Sequence, residues 1–182
     1  FYTDLYDTYV NLRGEDNDLY HGAACYTLFY NAAAFAQNLN IKKLHYVNFD
    51  YILKDKKWID KISIKLNHYE MFFGEHKALE GNCYYTYFFS ARPSSVLKHL
   101  DFIETEDQYN NLMNVYGAES NGIENVFYHI FKNNPNCCVL SQEDFEAKSS
   151  NAFQFEDYSR VEYYTILPTN MSDYFCPWIT IS

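Results

Sequence analysis

Short β-prone runs alternate with helix-length segments along this chain, and that alternation constrains its fold more than any other feature. A helical segment over residues 19–39 places Ala24, Leu28, Ala32, Phe35 and Leu39 on one stripe, with Asn40 as its stop. LHYVNF (44–49) reads as a strand, and a second helix is expected over 55–67. MFFG (71–74) and CYYTYFFS (83–90) read as two more strands. Pro93 sits where a helix accepts proline in its first turn, so a short helix is expected to Leu100. Thr105 with Gln108 forms a capping box for a helix over 106–115. A small, polar loop at 117–122 feeds a helix over 123–131 with Ile123, Phe127 and Ile130 on one face. CCVL (137–140) follows as a strand, and 163–167 and 179–181 are further strand candidates. The economical architecture is α/β, a mostly parallel central sheet flanked by helices in one domain spanning residues 1–182. The chain opens at Phe1 rather than Met, so a fragment shortened at its N-terminus is expected.

Composition narrows the partners. Lys and Arg total 14 against 24 Asp and Glu, a formal net charge of −10. A nucleic-acid backbone is therefore excluded as the main partner, because phosphate neutralisation needs clustered basic residues. The nearest cluster, Lys54, Lys56, Lys57, Lys61 and Lys65, is interrupted by Asp55 and Asp60 and reads as a solvated helix face. Five cysteines without a CxxC pair give neither a zinc pattern nor a disulfide framework. Reduced thiols and a cytoplasmic location are the simple expectation. No run approaches the roughly 18 apolar residues that a membrane-spanning helix needs. Aromatic residues make up 20% of the chain, with 19 Tyr and 15 Phe. Tyrosine joins an apolar ring to a polar tip, so wet concave surfaces are expected beside the core.

In open α/β sheets, ligands bind beyond the carboxyl ends of the strands. Asp50 ends the LHYVNF run, where a carboxylate can hold a divalent cation against substrate phosphates or cap the following turn. Asn48 lies two residues earlier, on the same face of an extended chain.

The run YHGAACYTLFYNAAAFAQNLNIKKLHYVNFDYIL (20–53) resembles the heart of a nucleotide-sugar-dependent glycosyltransferase of the GT-A fold. In that family an H-G-x-A-like loop opens a helix, and the following strand delivers an Asp-x-Asp motif to the metal and the donor diphosphate. Here that motif is Asn48-Phe49-Asp50, with Asn replacing the first Asp. The resemblance implies Mn²⁺ or Mg²⁺ at Asp50, and a donor site of His21, Gly22, Ala23, Asn48 and Asp50. YYTYFFSARPSSVLKHL (84–100) is similar to the strand and helix behind the family's acceptor site. GAESNGIENVFYHIF (117–131) looks like the loop and helix that carry the catalytic acid in many inverting members, here Glu119 or Glu124. The likeness spans about residues 18–140, and the family's opening β-α-β segment has no counterpart in it.

An inverting sugar transfer needs one carboxylate to take the acceptor hydroxyl proton. Glu119 precedes a helix whose amino end favours an anion, and Glu124 lies just inside it, where capping is the ordinary role. Glu75 and His76 follow the MFFG run at a carboxyl end and line either an acceptor pocket or an exposed loop. The leading expectation is a glycosyltransferase acting on a nucleotide-sugar donor and a glycan or other hydroxyl acceptor. A non-catalytic sugar-binding or structural domain on the same scaffold is the alternative, and a hydrolase with paired carboxylates is a third.

Overall fold

The computed structural model describes residues 21–48, 51–78, 81–118, 122–155 and 179–181. The elements are α1 (His21–Asn38), β1 (Leu44–Val47), β2 (Tyr51–Leu53), α2 (Lys56–Lys65), β3 (Met71–Ala78), β4 (Gly81–Tyr84), β5 (Phe88–Ala91), α3 (Pro93–His99), α4 (Glu106–Tyr116), α5 (Ile123–Phe131), β6 (Cys137–Leu140), α6 (Gln142–Ala152), β7 (Phe153–Phe155) and β8 (Ile179–Ile181). Local chemistry sets the helix ends. Asp55 caps α2 by accepting from the Lys57 N–H, and Thr105 and Gln108 form the expected reciprocal box on α4. Asn40 stops α1 in the left-handed region at φ 57°, a conformation that asparagine tolerates. Pro93 stands in the first turn of α3.

The fold is α/β, but the sheet is mixed and mostly antiparallel, which corrects the expectation of a mostly parallel one. β1 lies between β5 and β8, both antiparallel to it, and β3 is antiparallel to β4 and β5. Among the described residues, the β3–β6 pair alone is parallel. A helix between two strands does not fix their direction. β3 also runs on to Ala78 and turns straight back into β4, and a short hairpin connection forces antiparallel pairing. β2 and β7 form a separate two-stranded ribbon.

CYYTYFFS is two strands with a break, not one. Phe72 faces Ser90 and Glu75 faces Tyr84, so three steps along β3 are matched by six along its partner. Tyr85, Thr86 and Tyr87 are the surplus, a wide bulge of the kind that re-aims side chains beside functional sites.

Helices cover both faces. Met71, Phe73, Tyr46 and Phe89 point toward α1, α3, α4 and α5, while Phe72 and Phe88 point toward α2 and α6. This period-two division of neighbours follows from the pleat. On α1 the buried stripe is Ala23, Tyr26, Ala33 and Ala36, so the helix is rotated from the expected stripe and leaves Phe35 and Leu39 exposed. Trp58 is in the core, against Phe72, Phe88, Phe145 and Phe153.

Buried His45 bridges the sheet to α2, with Nδ1 2.8 Å from Ser90 Oγ and Nε2 2.9 Å from Ser63 Oγ. Burial, with Lys43 adding, holds its pKa down to about 4 from an ordinary 6.5, so the folded chain keeps it neutral. The unfolded chain protonates first. Stability is therefore complete above pH 6.5 and falls as the pH drops toward 4, by about 3 kcal/mol from this residue. NMR titration should show the His45 ring still neutral at pH 5; a midpoint near 6.5 would contradict this.

Candidate functional site

β1, β3 and β6 point the same way, so their carboxyl ends share one edge of the sheet. Asn48 sits just beyond β1, where its N–H donates to Tyr87 O at 2.8 Å and its carbonyl accepts from the Tyr51 N–H. The bulge is thereby tied to β1. Thr86, at its centre, turns to the α5 layer and donates from Oγ1 to Glu124 Oε1 at 2.5 Å.

Glu124 is half-buried in the first turn of α5, where the helix's amino end favours a carboxylate. Its side chain reaches across to the sheet, and the N-cap, Gly122, makes no side-chain cap bond. Cys25, in the second turn of α1, is close enough for the carboxylate to act on it. Burial first, and Glu124 second, push the Cys25 thiol up to about 12, which disfavours its thiolate. One edge thus gathers the end of β1, the bulge, the start of α5 and the first turns of α1.

The expected residues fall unevenly on this frame. Gly22 and Ala23 are buried in the first turn of α1, with Ala23 part of the core. His21 begins α1, and its side chain lies outside the described residues, as do Asp50 and Glu119. Glu75 and His76 are neighbours on β3 and so point to opposite faces. Glu75 shares the α5 face with Tyr84, whose phenol it helps to push upward behind the larger effect of burial. His76 lies on the α6 face, its ring 4.7 Å from that of Tyr85.

Four polar residues give no local signal in the sequence. Thr86 is read as a strand position until the bulge is seen. Tyr85 Oη donates to Glu146 Oε1, which also accepts from Gln142 Nε2 at 2.9 Å. These partners join through tertiary packing alone.

Among the described residues, no three His, Cys, Asp or Glu side chains converge as a cation cage. A hard cation of the Mg²⁺ type needs few protein ligands, because it keeps several waters and binds substrate phosphates. Asn48, just beyond β1, carries an amide oxygen of that type, and Asp50 lies outside the described residues. His129 is a poor ligand by contrast: Nδ1 lies 3.2 Å from Tyr116 O and 3.3 Å from the Lys132 ammonium.

No protein-family model matches the chain, and neither the curated proteins nor the solved structures contain a significant match to it. Among the described residues, no helix is long and apolar enough to cross a membrane.

Proposed function

We propose that the chain carries the catalytic edge of a metal-assisted glycosyltransferase that moves a sugar from a nucleotide diphosphate to a hydroxyl acceptor. The observation behind this reading is the Thr86–Glu124 hydrogen bond in the bulge whose next residue, Tyr87, is tied to the backbone of Asn48 at the carboxyl edge of the sheet. Glu124 takes the acceptor hydroxyl proton as that oxygen bonds to the anomeric carbon. The anomeric C–O bond to the diphosphate breaks, and its electron pair leaves with the phosphate. Thr86 fixes the carboxylate for that task from the bulge. Asp50, with Asn48 in support, would hold Mn²⁺ or Mg²⁺, which would supply positive charge against the leaving diphosphate.

In a single displacement the acceptor oxygen enters opposite the departing diphosphate, which inverts the anomeric carbon. NMR of the product formed from a UDP- or GDP-sugar should show the anomeric configuration reversed; retention would remove Glu124 from the role of base.

A second reading, a glycan-binding domain without transfer, is favoured by the amide at position 48 where a carboxylate would grip metal more strongly. It predicts glycan affinity with no dependence on nucleotide or Mn²⁺.

A further inference from the structure

The lysines of the 54–65 stretch take no part in the transfer reaction, yet the fold sets them beside a pocket. In a chain of net charge −10, five of its 14 basic residues fall there: Lys54, Lys56, Lys57, Lys61 and Lys65. Lys57, Lys61 and Lys65 are exposed and recur every four residues, which makes a row about 12 Å long on the outer side of α2. Among the described residues, no carboxylate lies within ion-pair distance of any of the five. The neighbouring acids are engaged elsewhere. Asp55 caps α2 by accepting the Lys57 N–H at 2.9 Å, Asp144 pairs with Lys148 at 3.6 Å, and Glu146 holds Tyr85 and Gln142.

Between α2 and α6 lies an open pocket of about 190 Å³. Trp58, Ala147 and Ala152 line its apolar part, while Lys61 reaches it from α2 and Lys148 from α6. The first turn of α2 holds no acidic residue, so its amino end adds to the positive field.

An apolar hollow between cations complements an apolar side chain with carboxylates on either side of it. The lysine row matches about four residues of extended peptide. A bilayer surface is too broad to enter a hollow between two helices. A nucleic-acid backbone has no apolar side chain to fill it, and its length would meet the acids on the rest of the chain. We propose that the α2–α6 groove docks an acidic peptide segment of a partner protein, with an apolar side chain seated between Lys61 and Lys148 and its carboxylates along Lys57, Lys61 and Lys65.

A fluorescein-labelled peptide of three Glu-Glu-Leu-Asp repeats, titrated with the whole chain and followed by anisotropy, tests this without nucleotide or metal. It should bind saturably, and several-fold more weakly in about 200 mM salt than in about 50 mM. Lys57→Gln with Lys61→Gln should weaken it about tenfold or more. Lys98→Gln with Lys132→Gln, the same loss of charge in the opposite helix layer, should leave it within about twofold. Ala147→Phe fills the pocket from an exposed position and should weaken this peptide several-fold, but not oligoglutamate, which has no apolar side chain to seat. Unchanged melting temperatures show that these surface substitutions leave the fold intact. The proposal is overturned if the peptide does not bind, if the Lys57–Lys61 double variant or Ala147→Phe binds it undiminished, or if phosphatidylserine vesicles or an RNA duplex bind more tightly than the peptide.

Discussion

Glu124→Gln is expected to lower kcat by about two to four orders of magnitude, the usual worth of a positioned general base. The change keeps the size of the side chain and its place opposite Thr86, and removes only the basic oxygen. Because the loss falls on the chemical step, KM for the acceptor should stay within a few-fold of its original value. Thr86→Val is a milder probe of the same contact. It leaves the carboxylate in place without its hydroxyl partner, and a loss of about tenfold in kcat is expected, since hydrogen bonds to charged groups contribute roughly 1.5–3 kcal/mol. Steady-state kinetics on an identified donor would decide the matter. A Glu124→Gln enzyme with unaltered kcat would mean that another group, Glu119 first among them, takes the proton.

The second large effect concerns stability. Gly74→Ala should destabilise the fold by about 3 kcal/mol, the upper range for overpacking a well-filled core. A Cβ at Gly74 would lie 2.2 Å from Phe145 Cγ and within 2.5 Å of both Cδ atoms. These atoms belong to the root of the ring, which cannot swing clear as the end of a flexible side chain would. Phe145 is fully buried and packs against Trp58, Phe72, Tyr85 and Tyr87. Displacing it would therefore disturb the support under Tyr85 as well as the core. Urea denaturation measures the effect. Because the two residues touch, Gly74→Ala with Phe145→Ala should be less unstable than the two single losses added together. A Gly74→Ala midpoint equal to the original would show that α6 does not press on β3 in this way.

The sequence announces those elements whose signals are local. The Thr105–Gln108 box, Pro93, Asn40 and the apolar face of α5 each mark a boundary through chemistry within one or two turns. Helix α6 has a local start in the Ser141 cap, which accepts from the Asp144 N–H, but no apolar stripe: of QEDFEAKSSNA, only Phe145, Ser149 and Ala152 are buried, and two of these are small. Strand direction was also hidden, because the same helix–strand alternation suits a parallel or a mixed sheet. The hairpin that decides it turns on the few residues between Ala78 and Gly81.

The site divides in the same manner. Glu124 is visible as an acid in a first helical turn behind a polar loop, and Asn48 as a polar residue after a strand. The contact that positions Glu124 is not visible, since Thr86 reaches it only because three surplus residues bulge between β4 and β5. Tyr85 and Glu146, 61 positions apart, are joined by α6 packing on the sheet. Neither local propensity nor motif spacing reports on a contact of that range.

Calorimetric titration of UDP and GDP, with and without Mn²⁺, into the unmodified chain and into Asp50→Ala tests the central claim most directly. A nucleotide site at the end of β1 predicts saturable binding that needs Mn²⁺ and is lost in Asp50→Ala. Binding of equal strength without the cation, or undiminished in the variant, would contradict it.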